Sequence, residues 1–503
     1  MRRLIGVFTT LIMGLLTAGL VTAAPASAQT GGAPPGLGGF YAQRLAWSAC
    51  GGGFQCAKLK VPVNYAKPKG RHIEIAVIRL RAQGPKRIGS LVLNPGGPGG
   101  SGVAMARNAK LFLSPALRSS FDIVGFDPRG VGLSAPVRCM SPSVLDAYHA
   151  LDPTPDTPTE VRKGDLYQQA YAQGCKANTG GLLAHLGTRS AARDIDVLRA
   201  ALGEQRLTYL GFSYGSLLGA TYADLFPKRV RAMVLDGAID PTTRGSSAGS
   251  VAHSFEVAFT AFLRDCYRAP GCPFKKHKVS ASFKELAGLF KRADRAPLRN
   301  DADGRQVNEA LVWRGVMASM YSREQWPALR AALADAFKGD GTALLTFADG
   351  YNGRLGDGTY DNGGEAFVAI NCVDYPPTST ATRSQVTYVP ESRYFGKYFS
   401  DGLLSPCAFW PVKGTEGVGR PLRAKGAPPI LVVGTTRDPA TPYKDAKALA
   451  AQLSSGVLLG FDGDGHTAYG GPSTCVNGAV DRYLITRVPP KDGTFCAKVT
   501  AAR

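Results

Sequence analysis

Little in the sequence suits a metal or a nucleotide. There are only six histidines in 503 residues, His72, His149, His185, His253, His277 and His466. No tight quartet of Cys and His forms, so a structural zinc site has no ligand set. Apolar runs long enough to cross a bilayer are missing after the first segment, Leu4 to Ala24. No Cys precedes Cys50, which leaves a lipid-modified amino terminus without its acceptor. Charge of one sign does not gather either. Lys and Arg outnumber Asp and Glu 59 to 38, a formal net charge of +21, yet they are scattered. Without a basic stripe and aromatic platform, nucleic acid is not an expected partner. The excess reads as a soluble basic surface that lingers electrostatically near anionic cell wall, rather than as a dedicated polyanion site.

What is present begins with an export signal. Met1-Arg2-Arg3, the apolar stretch and Ala26-Ser27-Ala28 match a signal peptide over 1–28, cleaved after Ala28 to leave Gln29 first. An uncleaved anchor is the alternative, disfavoured by the Thr and Gly residues inside the stretch. Ten cysteines follow as neighbours along the chain: Cys50 with Cys56, Cys139 with Cys175, Cys266 with Cys272, Cys372 with Cys407, Cys475 with Cys496. In an exported protein, local disulfides are the simplest use of such a set.

Short β-branched runs end in Gly-rich turns and lead into helical patterns at Ile73 to Leu80, Ser90 to Leu93, Phe121 to Phe126, Leu207 to Gly211, Ala232 to Leu235, Ile430 to Val433 and Val457 to Phe461. Strands alternating with helices predict an α/β fold with a mostly parallel sheet covered on both faces. From Ser254 to about Lys338 the apolar spacing turns helical, as in Phe255, Ala258, Phe259, Phe262 and Leu263. A Gly- and Asp-rich loop stretch follows around Gly350 to Gly364. The expected organisation is a core over 29–241, a mainly helical cap insertion over 242–425 and the rest of the core over 426–503.

Gly211-Phe212-Ser213-Tyr214-Gly215 sits between a predicted strand and a predicted helix from Leu217 to Phe226. A sharp strand-to-helix turn needs Gly on both sides, and it pushes Ser213 out at the strand's end, where the helix dipole favours developing negative charge. A hydroxyl is a weak nucleophile until a base held by a third group takes its proton. His466, in Gly465-His466-Thr467 after the strand Val457 to Phe461, is the candidate base; His253 and His277 also follow Ser213 but fall in the helical insertion. Asp438, after Ile430 to Val433, is the candidate acid, with Asp445 and Asp464 competing. Thr441 either hydrogen-bonds that carboxylate or caps the helix from Pro442. Asn94-Pro95-Gly96-Gly97-Pro98-Gly99-Gly100-Ser101-Gly102 leaves backbone N–H groups bare, and its spacing is neither a P-loop nor a dinucleotide loop. Gly97 and Tyr214 are the expected oxyanion donors. No cofactor is expected.

With those residues placed, the chain resembles the proline-iminopeptidase and tripeptidyl-aminopeptidase branch of the α/β hydrolases, nearest to the secreted bacterial tripeptidyl aminopeptidases with a distinctive C-terminal segment. The resemblance rests on Asn94 to Gly99, Asp127-Pro128-Arg129-Gly130-Val131-Gly132-Leu133-Ser134, Gly211 to Gly215, Leu235-Asp236-Gly237, Asp438-Pro439 and Gly465-His466-Thr467. It implies the α/β-hydrolase fold and the triad Ser213, Asp438 and His466. Asn94-Pro95 stands where simple iminopeptidases carry His, which turns the expectation from single prolines to tripeptides. Asp127 and Arg129 are expected to brace loops.

An aminopeptidase must bind its substrate's free ammonium, and a carboxylate in the insertion is the natural partner. Asp374, in a Cys-x-Asp segment similar to that of relatives, and Glu365 are the candidates. The expected activity is a secreted serine exopeptidase acting on peptides with a free amino terminus. The alternatives are a carboxylesterase with the same machinery and a catalytically silent wall-binding protein, the last disfavoured by the complete triad.

Overall fold

Short extended runs between residues 48 and 496 assemble into one ten-stranded sheet. The computed structural model describes residues 32–243, 248–376, 391–399, 405–414 and 416–499. The predicted signal peptide and its cleavage point lie outside the described residues. The strands are β1 (Ser48–Ala49), β2 (Phe54–Pro62), β3 (His72–Leu80), β4 (Gly89–Asn94), β5 (Phe121–Phe126), β6 (Leu207–Phe212), β7 (Val230–Asp236), β8 (Ile430–Arg437), β9 (Gly456–Asp464) and β10 (Thr494–Cys496). Their order is β1-β2-β3-β5-β4-β6-β7-β8-β9-β10. β1, β2 and β3 join antiparallel to one another and to β5, and every pairing from β5 through β4 to β10 is parallel.

Every residue of β4, β5 and β6 is buried, because helices cover both faces of a parallel sheet. Side chains alternate between the two layers. Leu91, Leu93, Ile123, Leu210, Leu431 and Val433 enter one cluster, while Val92, Val124, Tyr209 and Val432 enter the other. The predicted strands thus stand, extended by up to four residues. β1, β2 and β10 are additions. Lys58 and Lys60 alternate with Leu59 and Val61 in β2, as a lightly covered strand allows.

After β7 the chain leaves the sheet. Helices Ala248–Cys266, Val279–Arg295, Glu309–Ala318, Trp326–Phe337 and Thr342–Asn352 enclose a separate cluster of Phe255, Phe259, Phe262, Phe283, Phe290, Trp313, Trp326 and others up to Ala348, joined by Phe395. The next helix, Gly363–Asp374, falls within 242–425 by sequence, but its Ala366, Ala369 and Ile370 pack in the sheet's own cluster. The loop stretch expected over 350–364 narrows to 353–362, where Gly353 ends one helix at φ 73°. A second helical excursion, Pro142–His149, Pro158–Thr179 and Thr188–Ala201, separates β5 from β6. All five neighbouring cysteine pairs form disulfides.

Candidate active site

β6 ends at Phe212 and the helix Tyr214–Leu225 begins at once, three residues earlier than the hydrophobic pattern suggests. Ser213 makes the whole turn alone, at φ 56° and ψ −124°, a region costly for any residue with a Cβ. The glycines on either side make room. A Cβ on Gly211 would collide with Gly215 O, and one on Gly215 would sit 2.8 Å from Asn94 O. Ser213 stays partly exposed, and its N–H donates to Asp236 O at 2.8 Å.

The glycine loop reaches this turn through Gly96. A Cβ there would lie 2.9 Å from Ser213 Cβ and 3.0 Å from Tyr214 N, and the residue has φ 94°. Asn94 Oδ1 accepts the Gly96 N–H at 3.0 Å and fixes the start of the loop. Gly97, next along, is exposed at φ 105°. Beyond it Ser101 caps the helix Gly102–Arg107, and Asp127 accepts from Ser101 Oγ at 2.6 Å, Val103 N at 3.1 Å and Leu133 N at 2.9 Å. Arg129, fully buried, grips Asp194 with two nitrogens at 2.7 Å and donates to Pro62 O, Val63 O and His185 O. Both residues brace loops, as expected of them.

His466 follows β9, and its Nδ1 lies 2.9 Å from each oxygen of Asp438, which follows β8 and is 1% exposed. Asp438 also accepts from Ala440 N, Thr441 N, Thr441 Oγ1 at 3.0 Å and Thr467 N. Such a carboxylate holds the imidazole tautomer with Nε2 free to act as base. Thr441 therefore serves the carboxylate; the helix Tyr443–Gln452 has no side-chain cap. Burial pulls the His466 imidazole down, but the Asp438 charge and hydrogen bond, with Asp236, outweigh it and leave the imidazole above its ordinary value. Asp464 is held instead by Arg437 and Lys498. His253 lies on a cap helix and His277 stacks on Tyr267.

Asp236, at the end of β7, ties the Ser213 turn to the segment just after His466. Its carbonyl takes the Ser213 N–H, and its carboxylate takes Ala468 N at 3.0 Å and Tyr469 N at 2.7 Å. Burial pushes its carboxyl up to about 6 against the pull of those N–H groups. The sequence offered Asp236 only as part of a motif. Gly237 beneath it has φ 63°, and a Cβ there would lie 3.3 Å from His466 Cε1.

The two carboxylates expected to hold a substrate ammonium are both buried. Glu365, expected to hold a substrate ammonium, is 2% exposed and accepts Cys139 N at 2.5 Å and Met140 N at 3.1 Å. Asp374, the other candidate, is 3% exposed and accepts Thr188 N at 2.9 Å and Thr188 Oγ1 at 2.5 Å, with Tyr214 Oη bonded to the same hydroxyl. Both carboxylates satisfy buried donors of the chain itself. Burial drives Asp374 up to about 7. Elsewhere, Asp152, Asp294 and Glu309 bring oxygens within 4.8 Å of one another beside a cavity of about 180 Å³. Glu309 is already taken by Thr154, Lys397 and Tyr398.

Residues 392–496, which carry Asp438 and His466, match the family described as TAP-like protein. Over 489 residues the chain is 38% identical to the serine protease Hip1 of Mycobacterium tuberculosis, covering 92% of each. The chain belongs to the TAP-like family of α/β hydrolases. Other relatives of this TAP-like hydrolase are carboxylesterase B of M. tuberculosis, 37% identical with 97% of each chain covered, and the tripeptidyl aminopeptidase of Streptomyces lividans, 32% identical with 89% of this chain and 84% of that one covered. The TAP-like chain is a serine hydrolase. No helix among its described residues is long and apolar enough to cross a membrane.

Proposed function

We propose that the chain is an exported serine exopeptidase that releases short peptides, tripeptides foremost, from the free amino terminus of peptide substrates. The observation that carries this reading is the 2.9 Å contact of His466 Nδ1 with both Asp438 oxygens, on a turn tied through Asp236 to the strained Ser213 elbow. Ser213 Oγ attacks the scissile carbonyl as His466 Nε2 takes its proton, and Asp438 stabilises the imidazolium. The oxyanion is held by the N–H groups of Tyr214 and Gly97. His466 returns the proton to the leaving amine. A water, activated by the same base, then hydrolyses the acyl-enzyme.

Relatives named serine protease and tripeptidyl aminopeptidase support a peptide substrate. Five disulfides and the Met1 to Ala28 pattern support export. The relative named carboxylesterase B favours a second reading, ester hydrolysis by the same triad. Kinetics on free and acetylated tripeptidyl amides beside short esters separate the two. An exopeptidase that bonds the substrate ammonium should prefer the free tripeptide in kcat/KM by at least about tenfold. Equal rates on free and acetylated tripeptides, with faster turnover of esters, would establish the esterase instead.

A further inference from the structure

The catalytic histidine candidate is held from two sides, and only one belongs to the sheet domain. Below it lie Asp438 and Gly237. Above it lies Tyr321, from the segment that follows the cap helix Glu309–Ala318. The His466 N–H donates to Tyr321 O at 2.8 Å, and Ser322 and Gly465 form an antiparallel bridge beside that bond. The Tyr321 ring stands at 86° to the imidazole with centroids 5.3 Å apart. Gly465, at φ 102°, admits this approach, since a Cβ there would lie 3.0 Å from Tyr321 O.

Tyr321 is in turn fixed within the cap. Its ring packs on Phe255 at 6.0 Å and on Tyr351 at 5.7 Å, and its hydroxyl lies 3.4 Å from that of Tyr351. Met320, beside it, is buried in the cap's aromatic cluster. β9 ends at Asp464, so the His466 N–H finds its acceptor in the cap and not in the sheet.

We propose that Tyr321 is a positioning residue: through it the docked cap sets the orientation of His466, so that the triad is aligned for proton transfer only while the cap is seated. This rests on the serine-hydrolase reading of Ser213 and His466. Misplacement of a catalytic group by about 1 Å can cost roughly a hundredfold in rate, which sets the scale of the effect.

The test uses the full mature chain with Tyr321→Leu, Tyr321→Ala and Tyr321→Phe. Loss of the ring should lower kcat on a small ester by about tenfold to a hundredfold with KM nearly unchanged. Labelling by a small fluorophosphonate should slow in parallel, and the low-field NMR resonance of the proton between His466 and Asp438 should broaden or move. Tyr321→Phe, which keeps the ring and loses only the hydroxyl, should restore most of kcat. Unfolding temperatures taken beside the rates separate misfolding from misalignment; if Tyr321→Ala does not fold, Tyr321→Leu still decides. A folded Tyr321→Leu enzyme that labels at the wild-type rate, with its low-field proton unmoved, overturns the proposal. A Ser213→Ala protein that still labels would overturn the serine-hydrolase assignment instead.

Discussion

Asp236 accepts the main-chain N–H of Ser213 through its carbonyl at 2.8 Å, while its carboxylate takes the N–H groups of Ala468 and Tyr469, just beyond His466. One residue at the end of β7 thus joins the Ser213 turn to the segment just after His466. Asp236→Ala keeps the Ser213 bond, which is main-chain, and leaves two buried donors unpaired. A loss of stability of about 2 to 6 kcal/mol is expected, at roughly 1 to 3 kcal/mol per unsatisfied group. Denaturant melts measure it, and kcat should fall with KM little changed. A variant with unaltered stability would show that water replaces the carboxylate.

Removing the proposed nucleophile, Ser213→Ala, should abolish turnover and fluorophosphonate labelling, and His466→Ala should cost about a hundredfold to ten-thousandfold. His466 acts as a base only when neutral. Its raised pKa means that kcat/KM should climb with pH and reach half its plateau above the ordinary histidine value of 6.5. In Asp438→Asn, the residual activity should reach half its plateau at a lower pH. A flat profile between about pH 5 and 9 would exclude a histidine base of this kind.

Gly96 is where the glycine loop, the proposed source of one oxyanion donor, touches the elbow. Gly96→Ala would place a methyl against Ser213 and Tyr214 at a φ of 94° that alanine disfavours, which drives the loop outward. Loss of one oxyanion donor typically costs about a hundredfold to a thousandfold in kcat, and a fall of that order is expected with the protein still folded. Steady-state kinetics beside a thermal melt check it.

Asp374 has a folded pKa of about 7 against an ordinary 3.8. The folded chain therefore keeps a proton that the unfolded chain gives up, and stability should decline as pH rises from about 4 to about 7 and then level off. Asp374→Asn should make that slope shallower; Asp236 and Asp152, each raised to about 6, retain parts of the same sign. Because Asp374 is buried and accepts both Thr188 N and Thr188 Oγ1, the variant's preference between free and acetylated tripeptides should equal the wild type's. A reduced preference would return Asp374 to the substrate site.

The sequence by itself marked the Gly211 to Gly215 turn, the parallel strands from β4 to β9 and the five neighbouring cysteine pairs, and it offered Ser213, Asp438 and His466 as a triad in that order. Each is a local matter: a strand-to-turn pattern of a few residues, or cysteines no more than 36 apart in the chain. The short edge strands β1 and β10 escaped because two or three residues carry too little periodicity, whereas β2 was legible in the alternation of Lys58 and Lys60 with Leu59 and Val61 and was passed over.

Tertiary structure alone decided what the acidic residues of the insertion do. Nothing near Asp374 or Glu365 in the sequence reveals that Thr188, 186 residues away, and Cys139, 226 residues away, supply buried donors that only those carboxylates satisfy. Asp236 as the tie between Ser213 and the histidine turn, Gly96 as the loop's point of contact, and Tyr321 as the lid on His466 arise in the same way. Each depends on residues brought together across long stretches of chain by packing, and a one-dimensional pattern records periodicity along the chain but not which distant atoms must share a hydrogen bond once water is gone.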